Sequence, residues 1–414
     1  MVGFLAVALL VSLLMHLYLW KRLVRDTMPP GRARRLAGTG LLALMLLVPG
    51  TLIAARAGAA WLAWPGHLWL ALAFYGIVAL LALELPLLLA GLWLRRRGRP
   101  GGPVGGASPA GTAHGPAADA PRPADGGGRA DPPPAATTLP ELTRRRLLAR
   151  SAAIVAGLAA TGVTGYGVRT AFGPPQLDRV QIPLAKLPRR MDGFRVALVS
   201  DIHLGPLLGR GHTARIVDAI NGLSPDLVAV VGDLVDGTVA ELGPAAAPLA
   251  RLRARHGSFF VTGNHEYYSG VQEWVQELPR LGLRVLANER TEIDALDLAG
   301  VNDLTGTQLG VAGPDLPGAL RGRDPGKPVV LLAHQPVVAL EAAEHGVDLQ
   351  LSGHTHGGQM VPFNLVVGLQ QPVVSGLGRV GDTAVYVTNG AGFWGPPVRV
   401  GAPPQVTLVE LRAR

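Results

Sequence analysis

The sequence contains no cysteine among its 414 residues. This absence excludes disulfides, thiolate zinc sites, iron–sulfur clusters and a cysteine nucleophile. Charge is also scarce, because Asp, Glu, Lys and Arg together make up 16% of the residues, against about 25% in an ordinary soluble domain. A wholly soluble protein is therefore not expected.

Acidic residues are few in the first part of the chain and basic residues show no excess in the second. Residues 1–177 hold 18 Lys and Arg against 6 Asp and Glu, whereas residues 178–414 hold 20 against 23. The overall net charge of +9 therefore comes from the first part alone. The second part lacks the basic footprint of a nucleic-acid-binding domain, so no nucleic-acid partner is expected.

Four apolar runs are each close to the length that crosses a bilayer as a helix, about 20 residues. They cover residues 2–20, 36–55, 66–94 and 151–172. We predict a multi-span α-helical membrane module, with three transmembrane helices in residues 1–97 and a fourth in residues 147–172, and with the lipid bilayer as its partner. Buried helices of a soluble core are the alternative interpretation of these runs.

The distribution of Lys and Arg predicts the orientation of this module. Segment 21–35 holds six basic residues and segment 95–146 holds nine, whereas the loop at 56–65 holds only Arg56. Loops rich in Lys and Arg lie on the cytoplasmic side. We therefore expect a multi-pass protein of the cell membrane whose residues 178–414 are extracytoplasmic. Residues 98–146 are rich in Gly, Pro and Ala, and we predict a disordered cytoplasmic linker there.

Two features of the membrane module have alternative interpretations. Residues 143–148, which include three consecutive arginines, resemble an internal twin-arginine export signal, and they are equally consistent with an ordinary basic flank of a span. Glu84 lies within the third apolar run. A carboxylate in a span is a functional candidate by default, and a structural position facing the other helices is the alternative.

From about residue 178, short β-branched runs alternate with helical patterns, which indicates an α/β domain. We predict strands at 194–199, 227–231, 258–261, 329–333 and 347–351. Each is followed within a few residues by side chains that can bind a metal: Asp201, His203, Asp233, Asn264, His265, His334, His354 and His356. Sites in open α/β sheets form at the carboxyl ends of strands. We therefore expect these side chains to meet at one edge of a sheet and to form one polynuclear metal centre.

The histidines divide by their position relative to these strands. Five of the 11 follow a predicted strand, often beside glycine. The other six show no such setting, and we interpret them as solvated or structural: His16, His67, His114, His212, His256 and His345.

The blocks around these residues occur in the order typical of a known family. They read Asp-Ile-His at 201–203, Gly-Asp-Leu-Val-Asp-Gly at 232–237, Gly-Asn-His-Glu at 263–266, His-Gln-Pro at 334–336 and Gly-His-Thr-His-Gly-Gly-Gln at 353–359. Residues 192–412 thereby resemble the calcineurin-like metallophosphoesterase family, and the last block is most similar to its membrane-associated bacterial phosphodiesterase branch. The resemblance implies a four-layer α/β/β/α sandwich over residues 178–414 that acts as a metal-dependent phosphoric ester hydrolase.

The resemblance also implies two divalent metal ions and their ligands. One ion would be bound by Asp201, His203, His356 and a shared Asp233, and the second by Asp233, Asn264, His334 and His354. This mixed set of oxygen and nitrogen ligands suits Mn, Fe or Zn. In the family, a hydroxide activated by both ions attacks phosphorus.

The resemblance further implies that His265 is not a ligand and assists the leaving oxygen, while Asp236 orients its imidazole. A turn residue before Gly237 is the alternative interpretation of Asp236. Glu266 is expected to support the loop or a ligand histidine. Gln405 departs from the family pattern, which often has Glu there, and this puts a packing detail in doubt.

Three functions remain open from the sequence. The first is a membrane-anchored phosphohydrolase acting on a phosphodiester or pyrophosphate, with a lipid-linked or cell-envelope substrate as its partner. The second is a phosphomonoesterase acting on a phosphoprotein or nucleotide. The third is a membrane transporter or sensor with a ligand-binding phosphoesterase-like domain.

Overall fold

The computed structural model describes residues 2–56, 63–97 and 139–414. The chain divides into two compact units, of which one comprises residues 1–42 and 73–160 and the other residues 43–72 and 161–414. The predicted linker lies for the most part outside the described residues, and so does His114.

Four long helices form the N-terminal part of the described chain: α1 (Val2–Leu19), α2 (Arg32–Arg56), α3 (Ala63–Arg97) and α4 (Leu139–Ala171). A π-helix at Trp20–Arg25 continues α1. Three segments of the described helices are long and apolar enough to cross a membrane: Arg32–Thr51, Ala63–Leu89 and Arg146–Ala171.

These candidate spans match the second, third and fourth of the predicted ones. The first predicted segment is helical as α1, but it is not among the candidate spans of the described residues. Helix α4 begins at Leu139, within the segment predicted as linker, and it contains the arginine-rich residues 143–148. The number of spans, the orientation and any use of the twin-arginine-like segment stay predictions.

Glu84 has two polar partners within the first unit. Tyr18 Oη donates a hydrogen bond to Glu84 Oε1 over 2.8 Å, and Arg22 Nε lies 3.0 Å from the same oxygen. A carboxylate within a span is normally paired in this way. These partners favour the structural alternative for Glu84.

Twelve strands follow α4: β1 (Gln176–Leu184), β2 (Phe194–Val199), β3 (Leu227–Val231), β4 (Ser258–Val261), β5 (Leu283–Val285), β6 (Glu289–Ile293), β7 (Leu296–Gly300), β8 (Val329–Leu332), β9 (Leu349–Ser352), β10 (Gly376–Val380), β11 (Thr383–Val387) and β12 (Gln405–Ala413). The helices among them are α5 (Arg210–Gly222), α6 (Val239–Ala246), α7 (Asn264–Tyr268), α8 (Val271–Arg280), α9 (Leu304–Gln308), α10 (Leu316–Ala319), α11 (Ala339–Glu344) and α12 (Asn364–Val367). Short 3₁₀ turns lie at Arg189–Met191, Ala247–Arg251, Pro336–Val338 and His356–Gly358.

These strands form two six-stranded mixed sheets. The first has the order β1-β12-β2-β3-β4-β5 and the second the order β10-β11-β9-β8-β7-β6. Strands β2, β3 and β4 are parallel neighbours, as are β8 and β9. Their side chains are buried on both faces, as expected for parallel strands covered on each side.

The apolar core explains why the two sheets lie face to face. A central cluster joins inward side chains of both sheets, for example Leu198 and Leu351. A second cluster packs α5 and α8 on the outer face of the first sheet through Ile216 and Trp274, and a third packs α10 and α11 on the second sheet. The predicted four-layer α/β/β/α sandwich is confirmed.

The expectation that the metal-capable residues share the edge of a single sheet is wrong. Strands β2, β3 and β4 belong to the first sheet, whereas β8 and β9 belong to the second. Parallel strands of two facing sheets can bring their carboxyl ends together as strands of one sheet do. The candidate residues therefore converge where the edges of the two sheets meet.

Candidate metal centre

The backbone at the strand ends adopts an uncommon conformation. Five candidate residues have positive φ angles between 49° and 71°: Asp201, His203, Asp233, His354 and His356. This region costs a non-glycine residue roughly 1–3 kcal/mol and is concentrated at functional sites. The surrounding structure must therefore offset this conformational cost to keep the five side chains together.

Two glycines let other chain segments approach the cluster. A Cβ at Gly263 would lie 2.3 Å from Asp233 Oδ1, and a Cβ at Gly353 would lie 2.4 Å from Asp201 Oδ2. Any larger residue would displace a candidate ligand, which explains why glycine flanks the Asn-His and His-Thr-His segments.

One group of candidate ligands consists of Asp201, His203 and His356, whose ligand atoms all lie within 4.8 Å of one another. The Nε2 atoms of His203 and His356 are 3.0 Å apart. Asp201 Oδ1 lies 3.4 Å from His356 Nε2 and 3.9 Å from His203 Nε2. Asp201 also accepts a short hydrogen bond from Ser200 Oγ, which fixes the carboxylate.

The second group consists of Asp233, His334 and His354. Asp233 Oδ2 lies 3.1 Å from His334 Nε2, and His354 Nδ1 lies 3.0 Å from Asn264 Oδ1. The same Asp233 oxygen is 3.8 Å from His203 Nε2 of the first group. Asp233 therefore stands between the two groups.

The donor atoms fit divalent cations. His334 Nε2 is buried and faces Asp233 Oδ2 at 3.1 Å. Burial lowers the pKa of His334, but the charge of Asp233 and the interaction with its carboxylate outweigh burial and raise that pKa well above its usual range, so a cation at Nε2 would replace a proton. Burial, followed by the charge of His334, lowers the pKa of His354 to about 3. Burial and the neighbouring His203 hold the pKa of His356 well below its usual range. Neutral imidazoles beside carboxylates are the form in which these groups bind Mn, Fe or Zn.

His265 and Asp236 lie at the side of this cluster. His265 Nδ1 donates to Asp236 Oδ1 over 2.6 Å, and the same oxygen lies 3.1 Å from His203 Nδ1. Burial alone lowers the pKa of His265, but the charge of Asp233 and the hydrogen bond to Asp236 outweigh it and raise the pKa to about 9. These three residues form a further group with ligand spacing, which their hydrogen bonds already satisfy without an ion.

Glu266 is buried and holds the backbone around Asp233. Its Oε2 accepts hydrogen bonds from the amides of Gly263 over 2.6 Å and Asp233 over 3.0 Å. Its Oε1 accepts from the Leu234 amide over 2.7 Å. Burial and the nearby charge of Asp233 raise the pKa of Glu266 to about 7. Glu266 thus supports the loop that carries Asp233.

Arg399 belongs to the site and is missed by sequence reasoning. Its buried guanidinium donates to His356 Nδ1 over 3.0 Å and to the carbonyl oxygens of Asn389, Gly392 and Ala402. These bonds fix the ring of His356 with Nε2 directed at the cluster. The only sequence signal is a single arginine within a Gly- and Pro-rich apolar loop.

Gln405 supports a neighbouring loop of the site. Its Oε1 accepts hydrogen bonds from Thr388 Oγ1 over 3.0 Å and from the Asn389 amide over 2.7 Å, and its Nε2 donates to Asp178. Glutamine at this position therefore supplies both an acceptor and a donor to neighbouring segments.

Two exposed aromatic side chains border the cluster beside His265. The rings of Tyr268 and Trp394 both meet the imidazole edge-on, with centroids 5.6 Å and 5.7 Å away. The side chain of His265 keeps 14% of its surface exposed. His265 is therefore partly open to solvent beside these two aromatic rings.

Comparison with known proteins shows similarity to phosphoesterases. The sequence model described as calcineurin-like phosphoesterase matches residues 194–358. Two relatives are called "Transmembrane protein with metallophosphoesterase domain": the Danio rerio protein is 42% identical over 60% of this chain and 60% of its own, and the Bos taurus protein is 40% identical over 65% and 64%. An "Uncharacterized metallophosphoesterase" of Helicobacter pylori strain J99 is 38% identical over 61% and 68%. The chain thus covers less than two thirds of the two vertebrate relatives.

Proposed function

The chain belongs to the calcineurin-like metallophosphoesterase family, and on this premise we propose that residues 178–414 hydrolyse a phosphoric ester with two divalent cations. The observation that carries the proposal is the position of Asp233, whose Oδ2 lies 3.8 Å from His203 Nε2 and 3.1 Å from His334 Nε2. A carboxylate between two groups of ligands is the arrangement that a two-ion site requires.

Each residue of the cluster then has a distinct role in the proposal. Asp201, His203 and His356 would hold one ion together with Asp233, and Asn264, His334 and His354 would hold the other with the same Asp233. Bound cations would neutralise the phosphoryl oxygens and lower the pKa of the attacking water. Arg399 and Glu266 keep His356 and Asp233 in place.

His265 acts on the leaving group. Asp236, which holds no ion in the proposal, favours the protonated imidazole through its charge and its hydrogen bond to Nδ1. Asp236 holds Nδ1, which directs the Nε2 proton into the site, where the leaving oxygen takes it. Proton transfer from a positioned histidine contributes roughly 10²–10⁴-fold to a rate.

The substrate we propose is a phosphodiester or pyrophosphate that carries a lipid or cell-envelope group. Three candidate spans and relatives named as transmembrane proteins support a membrane-anchored enzyme. Anchoring raises the effective concentration of substrates in the same bilayer. The excess of Lys and Arg in segments 21–35 and 95–146 supports a multi-pass protein whose residues 178–414 are extracytoplasmic.

The direct test uses the purified full chain in detergent with Mn²⁺. We expect hydrolysis of bis(p-nitrophenyl) phosphate, a phosphodiester, to exceed hydrolysis of p-nitrophenyl phosphate, a monoester. Asp233→Asn is the negative control for contaminating activity. Preference for the monoester would favour the phosphomonoesterase alternative, and absence of turnover on both esters would contradict the proposed function.

A further inference from the structure

The segment at residues 361–369, which includes the short helix α12 and is here called the apolar loop, exposes large apolar side chains close in sequence to the metal centre. They are Val361, Phe363, Leu365, Val366 and Leu369. Leu365 is 71% exposed and Leu369 is 84% exposed. No charged residue occurs between His356 and Arg379. Exposed apolar side chains concentrated in one segment are typical of an interaction surface.

The apolar loop is attached directly to the metal centre. It begins two residues after Gln359, and the backbone of Asn364 lies against Gly358, where a Cβ would be 2.4 Å from Asn364 Cα. Gln359 also binds the loop of Trp394: its Nε2 donates to the Trp394 carbonyl over 3.0 Å, and its Oε1 accepts from the Trp394 amide over 3.1 Å. Trp394 in turn borders His265.

Within the second unit, the apolar loop is also linked to residues 161–171, the last part of a candidate span. The Val361 amide donates to the Val400 carbonyl over 3.1 Å, and the Arg399 amide donates to the Gly167 carbonyl over 3.0 Å. Gly167 packs closely on Val398, because a Cβ added at Gly167 would lie only 2.4 Å from Val398 Cγ1. Gly167 lies inside the segment Arg146–Ala171, about 6 Å along the helix axis from its end.

Aromatic side chains cluster near the end of this candidate span. Trp64 stacks on Phe172 with ring centroids 5.3 Å apart, and Phe172 meets Phe393 edge-on at 5.2 Å. Phe172 directly follows the candidate span, and Phe393 precedes Trp394. Tryptophan is enriched at the boundary between lipid and water. The end of the candidate span, the loop of Trp394 and the apolar loop therefore adjoin a group of aromatic side chains of the kind found at a membrane interface.

We propose that the apolar loop and Trp394 insert into the interfacial layer of the bilayer that anchors the chain, and that the metal centre takes its substrate from that bilayer. The occupant of the surface is the bilayer because the loop is joined through residues 398–400 to a helix that is itself apolar enough to cross it. Apolar side chains of interfacial segments enter the headgroup boundary to about 5–10 Å. This depth matches the distance of about 6 Å along the helix axis between Gly167 and the end of the candidate span. The statement about the substrate rests on the proposed function, and the statement about insertion stands without it.

The absence of cysteine permits a direct test of insertion. Leu365→Cys and, as control, Pro325→Cys are labelled with an environment-sensitive fluorophore in the full chain, reconstituted in phosphatidylcholine–phosphatidylglycerol vesicles. Pro325 lies in an exposed turn before β8, at the opposite end of this strand from His334. We expect lipids with spin-labelled acyl chains to quench the label at residue 365 and to leave the label at residue 325 unquenched. Equal quenching at the two positions would overturn the proposal.

A second experiment tests where the substrate comes from. Rates are measured for the full chain on an aryl phosphodiester with an acyl chain, embedded in vesicles, and on soluble bis(p-nitrophenyl) phosphate. We expect the double variant Leu365→Ser/Leu369→Ser to lower the ratio of the first rate to the second by about tenfold or more. The matched control is Leu340→Ser, an exposed leucine on α11 outside the apolar loop.

The outcomes separate the two proposals. An unchanged ratio in the double variant would overturn the statement about the substrate while leaving the phosphodiesterase activity established. Failure of the unmodified chain to hydrolyse either ester would contradict the proposed function and with it the statement about the substrate. The quenching experiment then still decides whether the loop inserts.

Discussion

His265 is the side chain whose charge state depends most clearly on its neighbours. Its imidazole bonds to Asp236 and lies 4.0 Å from Asp233, and its role in the proposal is to donate a proton without holding an ion. We therefore expect His265→Asn to keep its bound metal and to lose roughly 10²–10⁴-fold in kcat. Metal content and steady-state rates on the soluble phosphodiester measure the two effects separately.

The control for this variant is His345→Asn, because His345 lies outside the metal centre at the end of α11. We expect it to retain both metal and rate. Loss of metal in His265→Asn would make His265 a ligand and contradict its proposed role.

His212 links stability to pH at a position outside the metal centre. Burial and the positive charges of Arg215 and Arg399 lower its pKa from 6.5 to about 4. The unfolded chain therefore takes up this proton below pH 6.5 while the folded chain does not. Stability from the neutral His212 is present above pH 6.5 and is lost as the pH falls towards 4, by about 3 kcal/mol in total.

We expect His212→Gln to remove this part of the pH dependence. Thermal unfolding of the full chain in detergent, measured between pH 7 and pH 4, should show a smaller loss of stability in His212→Gln than in the unmodified chain. If stability falls in parallel with pH in the two proteins, His212 takes up its proton in the folded chain as readily as in the unfolded chain. This result would contradict the lowered pKa of His212.

Some residues of the site could be predicted from the sequence and others could not. Asp201, Asp233 and Asn264 follow β-branched runs within a short distance, so local pattern suffices to find them. Arg399 lies more than 40 residues after His356, and only the fold brings its guanidinium to the imidazole. Ser200 adjoins Asp201 but carries no signal of its own, since serine is common after strands.

At the scale of elements, the strands that carry the site were recognisable and their arrangement was not. Strands β2, β3 and β4 occur at the predicted residues. Buried strands read as continuous apolar runs, so the residues alone do not reveal that β8 and β9 belong to a second sheet. Short or polar strands such as β5 and β6 have no clear alternation, so the sequence does not indicate them.

Helix α4 offers a test of packing at this scale, because two of its glycines differ in their surroundings. A Cβ at Gly167 would lie 2.4 Å from Val398 Cγ1, whereas a Cβ at Gly162 would meet nothing within 4 Å. We expect Gly167→Ala to destabilise the second unit by about 1–3 kcal/mol through overpacking. The matched variant Gly162→Ala should be neutral or slightly stabilising, since alanine favours the helix.

Thermal unfolding of the full chain in detergent distinguishes these two variants. Equal unfolding temperatures would show that α4 does not pack on residues 398–400. This result would also remove the link between the candidate span and the apolar loop.

At the scale of the whole molecule, the uneven charge of the chain is the basis for its predicted orientation in a membrane. Basic residues are concentrated in the part with the candidate spans, and residues 178–414 carry a small negative charge. Composition predicts a membrane module and an α/β domain. It did not give the bounds of the compact units, because residues 43–72 group with the C-terminal part through three-dimensional contacts.

The proposed extracytoplasmic location can be measured with a topology reporter. An alkaline phosphatase fused after residue 414 is active only outside the cytoplasm of a bacterial host, and we expect activity there. A fluorescent protein that matures only in the cytoplasm serves as the complementary fusion. Fluorescence without phosphatase activity would reverse the proposed orientation.

The most direct test of the account is the metal content of Asp233→Asn. We expect the full chain loaded with Mn²⁺ to bind two ions, and we expect the variant to bind almost none, because the amide cannot replace a carboxylate shared by both groups. Asp294→Asn, in an exposed turn before β7, is the control and should bind two ions. Elemental analysis that finds two ions in Asp233→Asn would contradict the central claim that this carboxylate joins two metal sites between the sheets.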